Sequence, residues 1–131
     1  MFATWLNIIM DHRVFIVEPS STIQQAMRIA MSDASWHTSF ASTAREAVTA
    51  LQEAPPDVLI LNHTLTDMNG LELCQRLVAL GWTQSLHIIG LAHPRRADAS
   101  EAAWRAAGAQ GCLSKPFSVH AFNHCIRTGL G

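Results

Sequence analysis

The sequence predicts an α/β fold in which helices cover both faces of a parallel sheet. Segments with strand character alternate with amphipathic helical segments five times, and the connections between them are short. The segment 57–62 is the most apolar of the strand candidates and shows no polar alternation, which is typical of a central parallel strand buried on both faces. Such a sheet places its functional residues at the carboxyl ends of the strands.

Each element has its own signal. The helices are predicted from apolar residues at helical spacing, and Thr43 with Glu46 three residues later forms a capping-box pattern at the start of the second helix. Ser21 or Thr22 is the expected cap of the first helix, and Ser118 that of the last. Gly81, Gly108 and Gly129 stand where helices are expected to stop. The expected strands are 14–17, 36–41, 57–62, 87–91 and 111–114, and the helices follow each strand, the fourth over 99–107 and the fifth over 118–128.

Length and composition limit the function. A chain of 131 residues with 49% hydrophobic residues suits one domain with a proper core. The net charge of −1 gives no basic surface excess, so we expect no direct binding to nucleic acid. The apolar run at residues 1–10 is too short to cross a membrane and lacks the pattern of a secretory signal. We therefore expect a cytoplasmic domain over residues 13–131, preceded by an N-terminal extension over residues 1–12 that either packs on the domain or a partner, or is a frayed end.

The carboxyl ends of the predicted strands carry Glu18, Asn62, Ala92 and the pair Ser114-Lys115. Two longer strings accompany them: Asp67-Met68-Asn69-Gly70-Leu71-Glu72-Leu73 after the third strand, and Gly108-Ala109 followed by Leu113-Ser114-Lys115-Pro116-Phe117. In this order and at these strand ends, they resemble the receiver domain of two-component response regulators, over about residues 13 to 128.

The resemblance implies a doubly wound (βα)5 flavodoxin-like fold with strand order 2-1-3-4-5 and a cis peptide before Pro116. In that family an aspartate at the end of the third strand accepts a phosphoryl group. Two acidic residues after the first strand help it to hold magnesium, and a Ser or Thr, a lysine and an aromatic switch residue complete the machinery.

This sequence departs from that pattern at four positions. Carried over position by position, the acidic pair becomes Glu18-Pro19 and the acceptor becomes Asn62, whose amide is a poor nucleophile. The hydroxyl position falls on Ala92, or on His93 if the following loop has no insertion, and the aromatic switch falls on Cys112. Lys115 alone remains as the family has it. We therefore expect a degenerate receiver with no catalytic residues.

The charges of the predicted pocket point the same way. Glu18 and Lys115 leave it near neutral, which removes the electrostatic basis for strong magnesium binding. We expect no cofactor, and at most weak magnesium binding at Glu18, Asn62 and Thr64. A Glu18–Lys115 ion pair is expected to fill the pocket, with Asn62 adding hydrogen bonds.

Other residues have two interpretations each. Trp104 with Arg105 in the fourth helix is either an interface anchor or folds back onto the domain. His63 is expected to be a solvated loop residue at the pocket rim. His120 and His124 stand four residues apart beside Cys125, a two-point metal site or, more simply, an exposed helix face. The three cysteines are an odd count at irregular spacing and are expected to be reduced thiols.

The sequence thus predicts a receiver-like signalling domain of a two-component or phosphorelay system rather than an enzyme. We expect it to work by protein–protein interaction, independently of phosphorylation, with a histidine kinase, a regulator or an attached output domain. Homodimerisation through the fourth helix, fifth strand and fifth helix is possible in this family. Two alternatives stay open: a conventional phosphorylatable regulator, and a pseudo-receiver that binds a small ligand in the vacated pocket.

Overall fold

The structure is a computed structural model in which residues 12–131 are described. Its five strands are β1 (Arg13–Val17), β2 (His37–Ala41), β3 (Val58–Asn62), β4 (His87–Ala92) and β5 (Gly111–Ser114). All neighbouring strands pair in parallel, in the order β2-β1-β3-β4-β5. The predicted fold class and strand order are confirmed, while the N-terminal extension lies outside the described residues except for His12.

Five helices connect or follow the strands: α1 (Ser21–Ala30), α2 (Ala44–Glu53), α3 (Gly70–Ala79), α4 (Glu101–Ala106) and α5 (Val119–Leu130). Short 3₁₀ turns at Trp82–Gln84 and Ala97–Ala99 precede β4 and α4. No helix in the described part of the chain is both long and apolar enough to cross a membrane.

The sheet divides the core into two layers. β3 is buried along its whole length, as its unbroken apolar run predicts. On one face Phe15, Leu59 and Leu61 pack against α2, α3 and α4; on the other Ile16, Ile60 and Leu91 pack against α1 and α5. Because the helices cover both faces, the sheet itself is accessible only at its strand ends, where sheets of this kind carry their functional residues.

The observed helix caps confirm some of the predicted helix starts and correct others. The side chains of Thr43 and Ser118 each accept a backbone N–H bond at the start of α2 and α5, as expected. The cap of α1 is Ser20, one residue before the predicted Ser21 or Thr22. The fourth helix is shorter than predicted, since a 3₁₀ turn takes up its first residues.

Gly129 does not end α5, which runs on to Leu130. A Cβ at Gly129 would lie 2.6 Å from Cδ2 of His87 and 3.0 Å from Cγ2 of Val58. The glycine therefore allows the last helix to approach the sheet closely, and packing outweighs its poor helix propensity.

Candidate functional site

The sheet brings the predicted pocket residues to one edge. Glu18 follows β1, Asn62 ends β3, Ala92 ends β4 and Lys115 follows β5. The strand registers place Asn62 beside Leu91 and Ala92 beside Ser114, so that the three ends are level. The backbone N–H of Lys115 also donates to the carbonyl of Ala92 at 3.0 Å, which continues the sheet into the site.

Asn62 and Lys115 form the centre of this site. Nζ of Lys115 donates to Oδ1 of Asn62 at 2.9 Å, and Nδ2 of Asn62 donates to the carbonyl of Thr64 at 3.3 Å. The Asn62 side chain is only 7% exposed, so these contacts compensate for its loss of water. Both ends of the amide are therefore committed within the protein.

The expected Glu18–Lys115 ion pair is wrong for the described residues. Oε2 of Glu18 accepts the backbone N–H of Ser20 at 2.9 Å, while Oε1 has no hydrogen-bond partner within residues 12–131. Glu18 is 1% exposed and turns toward the start of α1, whereas the lysine reaches across to the third strand.

Gly70 brings the start of α3 against the site. A Cβ there would overlap the backbone carbonyl group of Asn62, and the N–H of Gly70 donates to the carbonyl of His63 at 2.8 Å. Asn69 caps the helix by accepting the N–H of Leu71 at 2.8 Å. The string after the third strand thus fixes the backbone that carries Asn62.

His63 and His93 lie together beside this centre, which the sequence reasoning did not anticipate. Their rings meet edge to face with centroids 5.9 Å apart. His63 is only 9% exposed, so the expectation of a solvated rim residue is wrong. The signal was available, since each histidine follows the last residue of one of two adjacent parallel strands.

The surroundings of His63 favour its neutral imidazole form. Burial lowers its pKa, and the nearby positive charges of Lys115 and Arg96 lower it further. Its Nδ1 has no hydrogen-bond partner among the described residues, whereas Nδ1 of His93 accepts the N–H of Arg95 at 3.2 Å. Arg96 itself is paired with Asp98 at 2.8 Å.

The switch position Cys112 lies on β5 beside Gly90 of β4 and is half-buried. Burial, more than any neighbouring charge, raises the pKa of its thiol to about 11. Cys112 is therefore a protonated, small, packed side chain near neutral pH, with little of the volume of an aromatic ring.

Trp104 folds into the core rather than onto the surface, so its interpretation as an interface anchor is wrong. It has no exposed surface, and its indole N–H donates to the carbonyl of Leu91 at 3.2 Å. The ring lies over Gly90, the strand position where the absence of a side chain makes room for it. Arg105 remains exposed and pairs with Glu101 on the same helix at 3.0 Å.

His120 and His124 are exposed on α5 with stacked rings, 6.2 Å between centroids. Among residues 12–131, no group of three or more His, Cys, Asp or Glu side chains is arranged to hold a metal. The cis peptide that the resemblance implies is present between Lys115 and Pro116.

Fold and site together define the class of the protein: a doubly wound (βα)5 domain whose functional edge carries Asn62 and Lys115. The family model of the response regulator receiver domain matches residues 14–127. The chain therefore belongs to the response regulator receiver domains of two-component systems.

Similar proteins agree with this assignment. The transcriptional regulatory protein KdpE of Mycobacterium tuberculosis is 32% identical over 89% of this chain, which spans 50% of that protein. The adventurous-gliding motility protein Z of Myxococcus xanthus is 29% identical over 84% of the chain, which covers only 8% of it. The chain thus spans half or less of these two curated relatives.

Solved structures share the fold. The chemotaxis response regulator CheY4 of Vibrio cholerae superposes with a TM-score of 0.79 at 25% identity, covering 92% of this chain and 99% of the other. The receiver domain of the Francisella response regulator 1452 gives 0.81 at 17% identity, covering 92% and 97%. The latter likeness concerns the fold alone.

Proposed function

We propose that this receiver domain signals without aspartyl phosphorylation, through contacts with protein partners. The observation that carries the proposal is the hydrogen bond between Lys115 and Oδ1 of Asn62 at the end of β3. By the family resemblance, this is the place of the phosphoryl-accepting aspartate. An amide there has no free anionic oxygen for attack on phosphorus, and its nitrogen lone pair is delocalised into the carbonyl.

The surroundings of Asn62 support the same proposal. Ala92 is 1% exposed and has no hydroxyl to bind a phosphoryl oxygen, and Cys112 has no ring to swing inward. Pro19 takes the place of a second acidic residue beside Glu18. A phosphoryl group at this edge would meet Lys115 but few of the other groups that its charged oxygens need.

The donor set also fits magnesium poorly. The ion prefers an octahedron of oxygens with carboxylate charge. Glu18 offers one buried carboxylate oxygen without a partner, but Oδ1 of Asn62 already accepts from the Lys115 ammonium group. The carbonyl of Thr64 accepts from the Asn62 amide. We propose that magnesium binds weakly or not at all here.

A restoration series tests the proposal. The native chain, Asn62→Asp, and the triple variant Pro19→Asp/Asn62→Asp/Ala92→Thr are incubated with a small phosphodonor and magnesium, and their intact masses are recorded. We expect no phosphoryl adduct on the native chain and none or a trace on Asn62→Asp. The triple variant should gain the adduct, because acceptor, metal ligand and hydroxyl return together.

Two results would contradict the proposal. A hydroxylamine-sensitive phosphoryl adduct on an aspartate of the native chain would show a working receiver with another acceptor. Full labelling of Asn62→Asp would show that a single amide, rather than the whole site, separates this chain from a phosphorylatable one. Lys115→Met in the triple background serves as the control, since labelling that does not depend on this lysine would lie outside the site.

We propose a histidine kinase, another regulator or an attached output domain as the partner. Large apolar side chains stand exposed on α1 and at the start of α5: Ile23, Ile29 and Val119. Contiguous exposed apolar surface is typical of protein contact sites, and Ile23 and Val119 line the same groove between α1 and α5. We propose a homodimer through α4, β5 and α5 as a second mode of contact. Arg105→Glu tests it by analytical sedimentation, because a dimer formed through that face should dissociate more readily in this variant. A sedimentation profile equal to that of the native chain would exclude this dimer.

A further inference from the structure

A groove between α2 and α3 remains open on the surface. It encloses a cavity of about 430 Å³, within the range of about 300–1,000 Å³ typical of ligand pockets. Its floor and walls are largely apolar, formed by Val48, Leu51, Met68, Leu77, Leu80 and Trp82. Leu80 is 76% exposed, although the burial of a large apolar side chain stabilises a folded chain.

The groove runs along α2 and α3, from Ala44 and Met68 at one end to Gln52, Leu80 and Trp82 at the other. α2 and α3 run antiparallel to the strands, so their last turns, with Gln52, Leu77 and Leu80, lie at the edge of the sheet where the strands begin. β1 starts at the same edge, where the N–H of Arg13 donates to the carboxylate of Asp57 at 2.9 Å. His12, where the described chain begins, therefore lies at the same edge of the sheet as the last turns of α2 and α3.

Residues 1–11 lie outside the described part of the structure, but their sequence has a pattern. Phe2, Trp5, Leu6 and Ile9 follow the i, i+3, i+4, i+7 spacing of an apolar helix face, while Thr4, Asn7 and Asp11 follow the spacing of an opposite polar face. As a helix, ten residues span about 15 Å. α2 and α3 have ten residues each, so the lengths match.

We propose that residues 2–10 fill the α2–α3 groove of their own chain, with Phe2, Trp5, Leu6 and Ile9 facing it. The covalent connection at His12 favours this occupant over a second copy, because a short tether gives an effective concentration on the order of millimolar. The smaller groove between α1 and α5 is a poorer site. It is lined by Ile23, Phe117 and Val119, which follow the carboxyl ends of β1 and β5 and thus lie at the opposite edge of the sheet.

The proposal does not depend on the phosphorylation chemistry. It concerns the α2–α3 surface, whereas the Asn62 site lies at the carboxyl edge. In the proposed position, residues 2–10 cover Leu80 and Trp82 and make that apolar surface inaccessible to partners. This extends the domain by a short helix that the family model, which begins at residue 14, does not include.

The test uses the full chain. Lys115 is the only lysine of the sequence. Because α-amino groups in general lose their proton at lower pH than lysine side chains do, a paramagnetic tag couples selectively to the α-amino group near pH 7. A Lys115→Arg chain removes the remaining amine as a control. Loss of amide NMR signal is then mapped along the domain. We expect the loss in α2 and α3, residues 44–53 and 70–82, and none around Ile23 and Val119.

Matched substitutions sharpen the result. Trp5→Glu in the segment and Val48→Glu in the groove should each abolish the pattern, whereas Ile29→Glu on exposed α1 should leave it intact. The core described for residues 12–131 begins at Val14, so Trp5→Glu leaves every residue of that core unchanged and keeps the test valid even if Val48→Glu unfolds. Signal loss spread evenly or centred on α1 and α5 would overturn the proposal. Loss seen only between tagged and separately isotope-labelled chains would assign the groove to a second copy and overturn it as well.

Discussion

Gly90 and Trp104 form a pair whose disruption tests the packing of the fourth helix. A Cβ on Gly90 would overlap three indole atoms of Trp104, the farthest of them at 2.5 Å. Neither partner can move easily, because Gly90 lies in the middle of β4 and the indole is fully buried. Overpacking in such a core costs about 1–3 kcal/mol. We expect Gly90→Ala to lower the free energy of unfolding by at least the upper part of that range.

Trp104→Ala should cost about 3–5 kcal/mol, since it empties a large buried volume. The substitution also leaves the carbonyl of Leu91 without its indole donor. The loss of one partner of a buried hydrogen bond costs about 1–3 kcal/mol, part of which is already included in the cost of Trp104→Ala. The double variant is the informative one. With the ring removed, the added methyl of Gly90→Ala has space, so its cost should shrink or vanish.

Urea unfolding of the four proteins of this cycle gives the coupling energy. We expect the double variant to be more stable than the sum of the single effects predicts by about 1–3 kcal/mol. Ile29→Ala on exposed α1 is the control and should change stability by less than about 0.5 kcal/mol. Two results would refute the buried placement of the indole. One is a Gly90→Ala chain with an unchanged free energy of unfolding. The other is a Trp104→Ala chain that keeps the free energy of unfolding of the native chain but loses self-association.

Three further predictions follow from the site and its supports. The pKa of His63 is lowered in the folded chain, so the unfolded chain binds more protons as the pH falls below the ordinary histidine value. The free energy of unfolding should therefore keep its full value above about pH 6.5 and decrease as acid is added. His63→Phe should flatten this part of the plot of unfolding free energy against pH. The carboxylate of Asp67 accepts the N–H groups of Ala44 and Arg45, and these hydrogen bonds lower its pKa. Asp67→Asn should therefore reduce the melting temperature at neutral pH. The difference between the two chains should fade as the pH falls through the lowered pKa of Asp67. Gly70→Ala should destabilise by about 1–3 kcal/mol or more in urea, because its Cβ overlaps the Asn62 carbonyl; an unchanged midpoint would contradict the geometry there.

The sequence predicted the fold well because its strongest signals are local. The continuous apolar run of β3 requires burial on both faces, and the cap residues Thr43 and Ser118 mark helix starts through their own side chains. The positions of the site residues followed from topology, since parallel strands present their carboxyl ends at one edge. None of these inferences needs a distance between remote residues.

The predictions that were wrong depend on distances between residues that are remote in the sequence. Trp104 has the same spacing in its helix whether it points outward or inward, and only the empty position at Gly90, fourteen residues earlier, decides between them. Gly129 looked like a helix stop because nothing in the sequence shows that α5 presses against His87. The choice of Lys115 between Glu18 and Asn62 likewise depends on where each side chain ends in space.

The central claim is that the place of the acceptor holds an amide that engages Lys115 and takes no phosphoryl group. Beryllofluoride with magnesium, which mimics the phosphorylated state of receivers, tests it most directly on the native chain. Amide NMR signals of residues 62–64, 92–93 and 112–115 should stay in place at saturating reagent, and the mass after phosphodonor treatment should be unchanged. A new set of signals for these residues, together with a phosphoryl adduct on an aspartate, would contradict the account.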